Sequence, residues 1–269
     1  MNLEYLKENW KSDMDIDVMR GLWDNSSGDY MQKPIPRLDE NMFLMTMHDN
    51  GGIVPSFSVL DIGCGSGIYS FAIAPFVREV TGCDLSPKMI EAANERADDL
   101  EYENTEFVTL DWLAADIGDL GWEKKFDVVF AHMTPAVNDY ETFEKMIKCA
   151  KRMCFVQKNV RRTDEIHDAL FRELGIYQQK EDNDILNFFN YLWLKGYEPN
   201  ITCHKEEWFA DRKFEDAVKW YVGRAKQRTE VTDEMEEKIR EFLTKYDEYG
   251  IVTETMNSTI VTIHFRTDI

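Results

Sequence analysis

Short apolar runs alternate with helix-like segments through the middle of this 269-residue chain. The apolar runs cover residues 57–62, 78–83, 105–110, 126–131 and 152–157. The helix-like segments between them cover residues 67–77, 86–98, 113–120 and 139–151. Apolar strands separated by helices are typical of a parallel sheet with helices on both faces. The alternation therefore predicts an α/β fold.

The segments on either side predict additions to this sheet. Residues 1–50 predict an N-terminal helical cap, with a helix over residues 2–22 and a loop over residues 24–29. We expect residues 51–269 to form the main domain, with a helical insertion at about 206–247.

The C-terminal part predicts mostly helices. They are expected at residues 164–175, 184–196, 213–226 and 232–246, with one strand near 199–205. The last segment predicts a hairpin with strands at 251–255 and 259–266, joined by a turn at 256–258.

Charge and cysteine usage exclude several classes of protein. The formal net charge of -20 would repel a phosphate backbone, so we expect no nucleic-acid partner. The five cysteines include no C-x-x-C pair, and the histidines show no ligand spacing, which predicts no metal site. The odd number of cysteines argues against a disulfide framework, so we expect a cytoplasmic protein. Met1–Lys11 contains no apolar run, and no stretch of 18 apolar residues exists, so we expect no signal peptide and no membrane segment. The oligomeric state stays open.

A glycine-rich turn follows the first apolar strand, in the sequence Val59-Leu60-Asp61-Ile62-Gly63-Cys64-Gly65-Ser66-Gly67. Glycine lets a backbone approach a ligand closely, and the helix that follows offers unpaired N–H groups. No Gly-Lys-Ser or Gly-Lys-Thr follows, which excludes a P-loop, and the third glycine comes one residue too early for a dinucleotide fingerprint. Asp61 would repel a pyrophosphate but attract a cationic group. The turn predicts a nucleotide-type ligand, with a ligand-free turn as the alternative.

Asp84 is the second candidate binding residue. It ends the next predicted strand, 19 residues after Gly65, where an acidic residue accepts ribose hydroxyls in nucleotide-binding sheets. The alternative is that Asp84 caps the helix that begins near residue 86. Ser86 and Pro87 already supply the N-cap and the first helical residue, so we favour the ribose role.

Four segments together resemble the class I S-adenosylmethionine (SAM)-dependent methyltransferases in motif order and spacing, over roughly residues 55–160. They are Val59–Gly67, Val80–Met89, Phe107–Leu113 and Phe126–Met133. The resemblance implies a Rossmann-like three-layer fold, with a seven-stranded, mostly parallel sheet whose last strand is antiparallel. It also implies SAM as the cofactor and S-adenosylhomocysteine (SAH) as its product. The cap and the insertion lie where such enzymes usually build the acceptor pocket.

The resemblance implies a place for each cofactor contact. Asp61, Gly63 and Gly65 would hold the methionine part, and Asp84 would hold the ribose.

The adenine contacts come from the next two motifs. Leu85 would pack on the adenine with Met89 nearby, and Asp111 would accept from the adenine amino group with Trp112 beside it.

The segment after the fourth strand carries the candidate catalytic residue. The resemblance implies that His132 and Met133 face the sulfonium. Transfer to a thiolate needs little more than positioning, whereas a hydroxyl acceptor needs a base. His132 is the candidate base, with a pocket-wall contact as the alternative. Residues 134–137 differ at three of four positions from the Asn/Asp-Pro-Pro-aromatic motif of some amino-group methyltransferases, so we do not expect adenine or glutamine-amide methylation.

Two aromatic residues of the cap, Trp23 and Tyr30, are candidate acceptor contacts, with core packing as the alternative. The sequence therefore predicts a methyltransferase acting on a small molecule. The alternatives are a protein or RNA methyltransferase, a non-catalytic nucleotide-binding module and an NAD-dependent oxidoreductase. The early third glycine and the position of Asp61 argue against NAD.

Overall fold

One sheet of eight strands organises the chain in the computed structural model, which describes residues 1–12, 14–176, 183–226 and 228–268. The strands are Ser58–Ile62 (β1), Glu79–Asp84 (β2), Thr105–Thr109 (β3), Phe126–His132 (β4), Ala150–Asp164 (β5), Asn200–Lys213 (β6), Asp247–Glu248 (β7) and Ile251–Arg266 (β8). Seven of them follow the order β3-β2-β1-β4-β5-β8-β6, and β7 pairs with β8 alone. The pairs β1–β2, β1–β4, β2–β3 and β4–β5 are parallel.

The helices flank this sheet. They are Leu3–Asn9 (α1), Ile16–Met31 (α2), Met42–Asp49 (α3), Ile68–Ile73 (α4), Pro87–Asp99 (α5), Tyr140–Cys149 (α6), Glu165–Glu173 (α7), Asn183–Leu194 (α8), Phe214–Lys226 (α9) and Asp233–Leu243 (α10). The α/β fold with a mostly parallel sheet and an antiparallel final strand is confirmed. None of the helices in the described ranges has the length and apolar character needed to cross a bilayer.

The chain divides into two units. The first comprises Met1–Lys158, Asn183–Thr202 and Val261–Ile269, and the second comprises Asn159–Asp182 and Cys203–Ile260. The predicted boundary at residue 50 and the predicted insertion at 206–247 stay predictions.

The core of the first unit explains why the sequences of β1 and β4 are apolar. All five residues of β1 are buried, and the α3 side chains Phe43, Leu44 and Met47 pack over β1 and β4. Burial of this apolar surface is the main term that holds helix and sheet together. The second unit has its own apolar cluster, in which α7, α9 and α10 pack together.

The predicted helix over residues 113–120 is wrong, because the chain forms turns there. The Asp111 carboxylate accepts from the Leu113 N–H at 3.0 Å, and the Asp116 carboxylate accepts from the Gly118 N–H at 2.8 Å. Aspartate side chains that satisfy nearby backbone N–H groups compete with helix formation.

The N-terminal prediction is also wrong in its details. The predicted loop at 24–29 lies inside α2, where the hydroxyls of Ser26 and Ser27 donate to the backbone carbonyls of Leu22 and Asp24. The predicted helix at 2–22 is two helices, because α1 ends at Asn9 and Asp15 caps a new helix. Residue 13 lies outside the described residues.

The predicted hairpin turn at residues 256–258 is wrong, since β8 is continuous through it. A turn instead joins β7 to β8 at Tyr249 and Gly250, whose φ angles are 56° and 85°. Two positive φ angles match the right-handed twist of a hairpin. Tyrosine is uncommon in the left-handed region of φ and ψ, so the sequence contains little indication of a turn at Tyr249.

A buried polar contact joins the starts of β1 and β4. One carboxylate oxygen of Asp127 accepts from the Ser58 N–H at 3.0 Å and from the Ser58 hydroxyl at 3.1 Å. The other accepts from Arg152 Nε at 3.3 Å. Burial alone would raise the pKa of Asp127, but the contacts with Ser58 and Arg152 outweigh it and lower that pKa.

We expect Asp127→Ala to lower the free energy of unfolding by about 1–3 kcal/mol, because the buried Ser58 N–H loses its acceptor. Urea unfolding measures the loss. The control is Asp99→Ala, which removes an exposed carboxylate from α5 and should change stability by less than about 0.5 kcal/mol. Equal losses in the two variants would contradict the prediction.

Candidate functional site

The glycine-rich turn lies between the end of β1 and the start of α4. Gly63, Gly65 and Gly67 have φ angles of 71°, 55° and 76°. A Cβ on Gly63 would lie 2.6 Å from Thr134 Cβ and collide with the Thr134 hydroxyl. The turn therefore packs directly on the segment that follows β4, with no room for a side chain at position 63.

The space around Gly65 differs from the space around Gly63. A Cβ there would meet only the Met89 sulfur, at 4.0 Å. Open space thus lies beside Gly65, between the turn and the start of α5. This is the place where a ligand could approach the backbone.

Asp84 ends β2 beside this space and joins the turn to α5. One of its carboxylate oxygens accepts from the Gly65 N–H at 2.9 Å, and the other accepts from the Ser86 N–H at 2.9 Å. Burial raises the pKa of Asp84, and these two hydrogen bonds oppose the rise. Each oxygen keeps a lone pair for a further donor.

Asp61 lies beneath the turn on β1. It is 2% exposed and accepts from the Ser70 hydroxyl at 2.7 Å. Burial raises the pKa of Asp61 to about 7, although the Ser70 hydrogen bond opposes the rise. A neighbouring cation would favour the ionised carboxylate.

Helix α2 covers the outer side of the turn and of α5. The Ser66 hydroxyl donates to the Tyr30 carbonyl at 3.2 Å, and the Ser86 hydroxyl donates to the Asp24 carboxylate. Trp23 and Tyr30 make an edge-to-face pair on α2, with ring centroids 6.0 Å apart. Both candidate acceptor contacts therefore belong to the helix that meets the turn.

His132 lies at the carboxyl end of β4. Its ring centroid is 3.6 Å from that of Tyr69 and 4.9 Å from that of Phe43. Burial lowers the pKa of His132 to about 3, although a hydrogen bond with the Gln157 side chain opposes the fall. The imidazole is therefore neutral at pH 7.

Met133, the next residue, has a φ of 51°, in the left-handed region. Its N–H donates to the Gln157 carbonyl at 2.9 Å, which fixes the conformation. A non-glycine residue in this conformation costs on the order of 1–3 kcal/mol, and it persists where surrounding contacts hold it in place.

The segment after β3 carries Asp111 and Trp112. Asp111 accepts from two backbone N–H groups of the following turn, those of Leu113 and Ala114. Trp112 is 3% exposed, and its indole N–H donates to the Thr142 carbonyl of α6 at 3.2 Å. The Trp112 indole is therefore engaged in packing against α6.

The α5 contacts predicted for the adenine lie close to Asp84. Met89 is buried, and its N–H donates to the Ser86 hydroxyl at 3.1 Å, whereas Leu85 is partly exposed. The structure thus gathers Asp61, Gly63, Gly65, Asp84 and Met89 around the turn.

Two residues that lie at the same edge of the sheet were not identified from the sequence alone. Thr134 contacts Gly63, and its carbonyl accepts from Lys158 Nζ at 2.6 Å. Lys158 directly follows the predicted strand at 152–157, as His132 follows its own strand. That position at a strand end is the signal that could have found it.

A family of methyltransferase domains matches residues 53–221, which is more than half of the chain. The chain therefore belongs to this methyltransferase family. It is a SAM-dependent methyltransferase, the class of enzyme that the resemblance of its four motif segments implied.

Individual proteins resemble this chain over different shares of its length. An uncharacterised methyltransferase of Schizosaccharomyces pombe is 23% identical over 214 residues, which cover 72% of this chain and 75% of the relative. The release factor glutamine methyltransferase of Vibrio cholerae is 33% identical over 82 residues, which cover 30% of this chain and 28% of that protein. The crystal structure of YcgJ from Bacillus subtilis is 16% identical, with a TM-score of 0.53, and covers 82% of this chain and 96% of its own.

We expect Gly63→Ala to lower the free energy of unfolding by about 2–5 kcal/mol, because left-handed strain adds to the collision with Thr134. The matched control is Gly121→Ala. Gly121 has a φ of 64° but no atom within 4 Å of the added Cβ, so it should lose only the strain, about 1–2 kcal/mol. Urea unfolding of the two variants measures the difference. Equal losses would mean that the turn does not pack closely on Thr134.

Proposed function

We propose that this methyltransferase acts on a small-molecule acceptor, at the edge of the sheet formed by the carboxyl ends of β1, β2 and β4. The observation that carries the proposal is the pair of hydrogen bonds from the Gly65 and Ser86 N–H groups to Asp84, beside open space at Gly65. Ligands of open α/β sheets bind in this position.

The residues around the turn fit the cofactor. Asp84 would accept the two ribose hydroxyls with its free lone pairs, and Gly63 and Gly65 would let the methionine part approach the backbone. Asp61 would favour the cationic amino group of the methionine part, since its buried carboxylate has no cationic partner within 4.0 Å among the described residues and Asp84 lies nearby.

The adenine would lie along the start of α5. Leu85 would pack on the ring, with the Met89 sulfur near the backbone of Gly65. Asp111 would accept from the adenine amino group with Oδ2, since the Leu113 and Ala114 N–H groups both donate to Oδ1. Trp112 would support this wall from behind, since its own indole N–H is bonded to α6.

When bound, SAM supplies a methyl group on a sulfonium, and transfer is an in-line displacement in which positioning does much of the work. His132 and Met133 would form the wall that faces the methyl group. We assign His132 to this wall rather than to proton abstraction, because an imidazole with a pKa of about 3 is a weak base at neutral pH.

The small-molecule acceptor is favoured by the charge of the chain. A net charge of -20 opposes an RNA substrate. A protein acceptor is the second candidate, because the release factor glutamine methyltransferase shares 82 residues at 33% identity. That match covers 30% of the chain. Trp23 and Tyr30 would contribute the aromatic side of the small-molecule site.

We expect Asp84→Ala to weaken SAH binding by at least about tenfold, because the ribose loses both acceptors. Isothermal titration calorimetry with SAH measures the loss. Asp99→Ala, on the exposed part of α5, should bind SAH as the wild type does.

A thermal-shift titration with SAM, SAH and NAD in parallel checks the cofactor class. A ligand at 100 times its Kd adds about 2.7 kcal/mol of stability. Stabilisation by NAD alone would contradict the proposal.

We expect the imidazole of His132 to show no titration between pH 5 and pH 8, because burial holds its pKa near 3. Two-dimensional NMR of the histidine side chains measures this, and His132→Gln identifies the signal. A midpoint between pH 6 and pH 7 would restore His132 as the candidate base.

A further inference from the structure

A lysine of α6 is bonded to the turn that follows β3. Lys145 Nζ donates to three backbone carbonyls of this turn, those of Trp112 at 2.7 Å, Leu113 at 3.1 Å and Ala115 at 2.8 Å. An ammonium group has three N–H donors and no acceptor, so one hydrogen bond to each carbonyl uses all of them. The ammonium of Lys145 is therefore fully engaged with the backbone of this turn.

The three carbonyls accept from Lys145 because the turn is not a helix. The Ala115 N–H donates to the Asp111 carbonyl at 2.9 Å, which closes one turn of helical type. Within the described ranges, no backbone N–H donates to the carbonyl of Trp112, Leu113 or Ala115. Hydrogen bonds from a charged donor are stronger than those between neutral groups. A single ammonium thus replaces the backbone donors that a longer helix would have supplied.

Helix α6 contacts the same turn at a second place. The Trp112 indole N–H donates to the Thr142 carbonyl at 3.2 Å, and Lys145 Nζ lies 5.5 Å from the centre of the indole ring. Thr142 and Lys145 are three residues apart, so they share one face of α6. A capping box between Asp139 and Thr142 fixes the start of this helix. The first turns of α6 therefore hold Trp112 and the backbone beside it in one arrangement.

The hydrogen bonds of Lys145 continue through two peptide planes to Asp111. The Trp112 carbonyl and the Leu113 N–H belong to one plane, and the Leu113 carbonyl and the Ala114 N–H belong to the next. In both planes the carbonyl accepts from Lys145, and the N–H donates to Asp111 Oδ1, at 3.0 Å from Leu113 and 3.3 Å from Ala114. The C=O and N–H of a planar trans peptide point to opposite sides. Lys145 and Asp111 therefore hold the same two planes from opposite sides.

This arrangement leaves the second oxygen of Asp111 for a donor from outside the turn. Both N–H groups donate to Oδ1, and no hydrogen bond from a described residue reaches Oδ2. The residue is partly exposed, so Oδ2 is accessible to a ligand. Burial lowers the pKa of Lys145, whereas the charges of Asp139 and Asp111 oppose that fall and favour the ammonium form.

We propose that Lys145 is a positioning residue for adenine recognition, which holds the two peptide planes so that Asp111 Oδ2 faces the 6-amino group of the cofactor. The proposal rests on the proposed function, in which Asp111 accepts from that amino group. Lys145 acts through Asp111 and contacts neither the cofactor nor the acceptor. A carboxylate is rigid, so a rotation of the planes that moves Oδ1 also moves Oδ2. Loss of Lys145 therefore lowers the ability of the site to distinguish adenine from a base that lacks the amino group.

The test compares SAH with S-inosylhomocysteine, in which a carbonyl oxygen replaces the 6-amino group of the adenine. In the wild type, Asp111 Oδ2 and this oxygen would face each other as two acceptors without a proton between them. Isothermal titration calorimetry should give a Kd at least about tenfold higher for S-inosylhomocysteine than for SAH. We call the ratio of these two Kd values the adenine preference.

Two substitutions distinguish positioning from a loss of charge. Asp111→Asn keeps an oxygen for the two N–H groups of the turn and places an N–H donor where Oδ2 was, so it should reverse the adenine preference. Lys145→Met has a similar length but donates nothing, and should bring the adenine preference at least about threefold closer to one. Added to Asp111→Asn, it should also move the ratio towards one, from the opposite side. A loss of charge alone would shift both ratios in the same direction.

The matched control is Lys124→Met. Lys124 Nζ also donates to a backbone carbonyl, that of Ala150 at 2.9 Å, but at the amino end of β5. This variant should keep the adenine preference within about twofold of the wild type. Urea unfolding checks that each variant folds. If Lys145→Met is unfolded, Lys145→Gln replaces it, because it removes the charge and keeps two N–H donors on a shorter side chain, and the preference should still fall at least about twofold.

The outcomes distinguish this proposal from the one on which it rests. Failure of the wild type to bind SAH would overturn the proposed function. SAH binding without an adenine preference would overturn the role of Asp111 and, with it, that of Lys145. A preference that Asp111→Asn reverses but Lys145→Met leaves unchanged would overturn the role of Lys145 alone, as would equal losses in Lys145→Met and Lys124→Met.

Discussion

The hydrogen bond from the Gly65 N–H to the Asp84 carboxylate is the interaction on which the site depends. It connects the turn after β1 to the end of the neighbouring strand, and the second Asp84 oxygen extends the connection to the start of α5. A turn with three positive φ angles would otherwise have several conformations available. The bond selects one of them and leaves the backbone of Gly65 facing open space.

The same edge of the sheet gains rigidity from the strand that follows. Gly63 cannot carry a side chain because Thr134 occupies that volume, and Met133 is held in a left-handed conformation by the Gln157 carbonyl. The carboxyl ends of β1, β4 and β5 are thus fixed to one another by close packing and by backbone hydrogen bonds. Groups held in this way need little reorganisation when a ligand arrives.

The sequence predicted the parts of this enzyme that local patterns determine. The apolar runs predicted the strands of the parallel sheet, and the resemblance of four motif segments to SAM-dependent methyltransferases predicted the cofactor. The helix predicted at 113–120 failed because Asp111 and Asp116 bond to their own backbone, and the turn at Tyr249 was missed because a tyrosine in a left-handed conformation depends on tertiary context. The surroundings of Lys158 were missed for a similar reason. Trp10 and Lys158 are 148 positions apart in the numbering, and only the folded chain brings both of them onto Phe188.

The buried carboxyl group of Asp61 makes the stability of the protein depend on pH. Its pKa in the folded chain is about 7, against an ordinary value of 3.8, so the folded chain holds a proton that the unfolded chain releases between those two values. The contribution of Asp61 to stability therefore declines as the pH rises from about 4 to about 7. A cation placed beside Asp61 reverses that preference and expels the proton. Binding of a positively charged ligand beside Asp61 is therefore an exchange of the ligand for this proton. Such binding becomes more favourable as the pH rises.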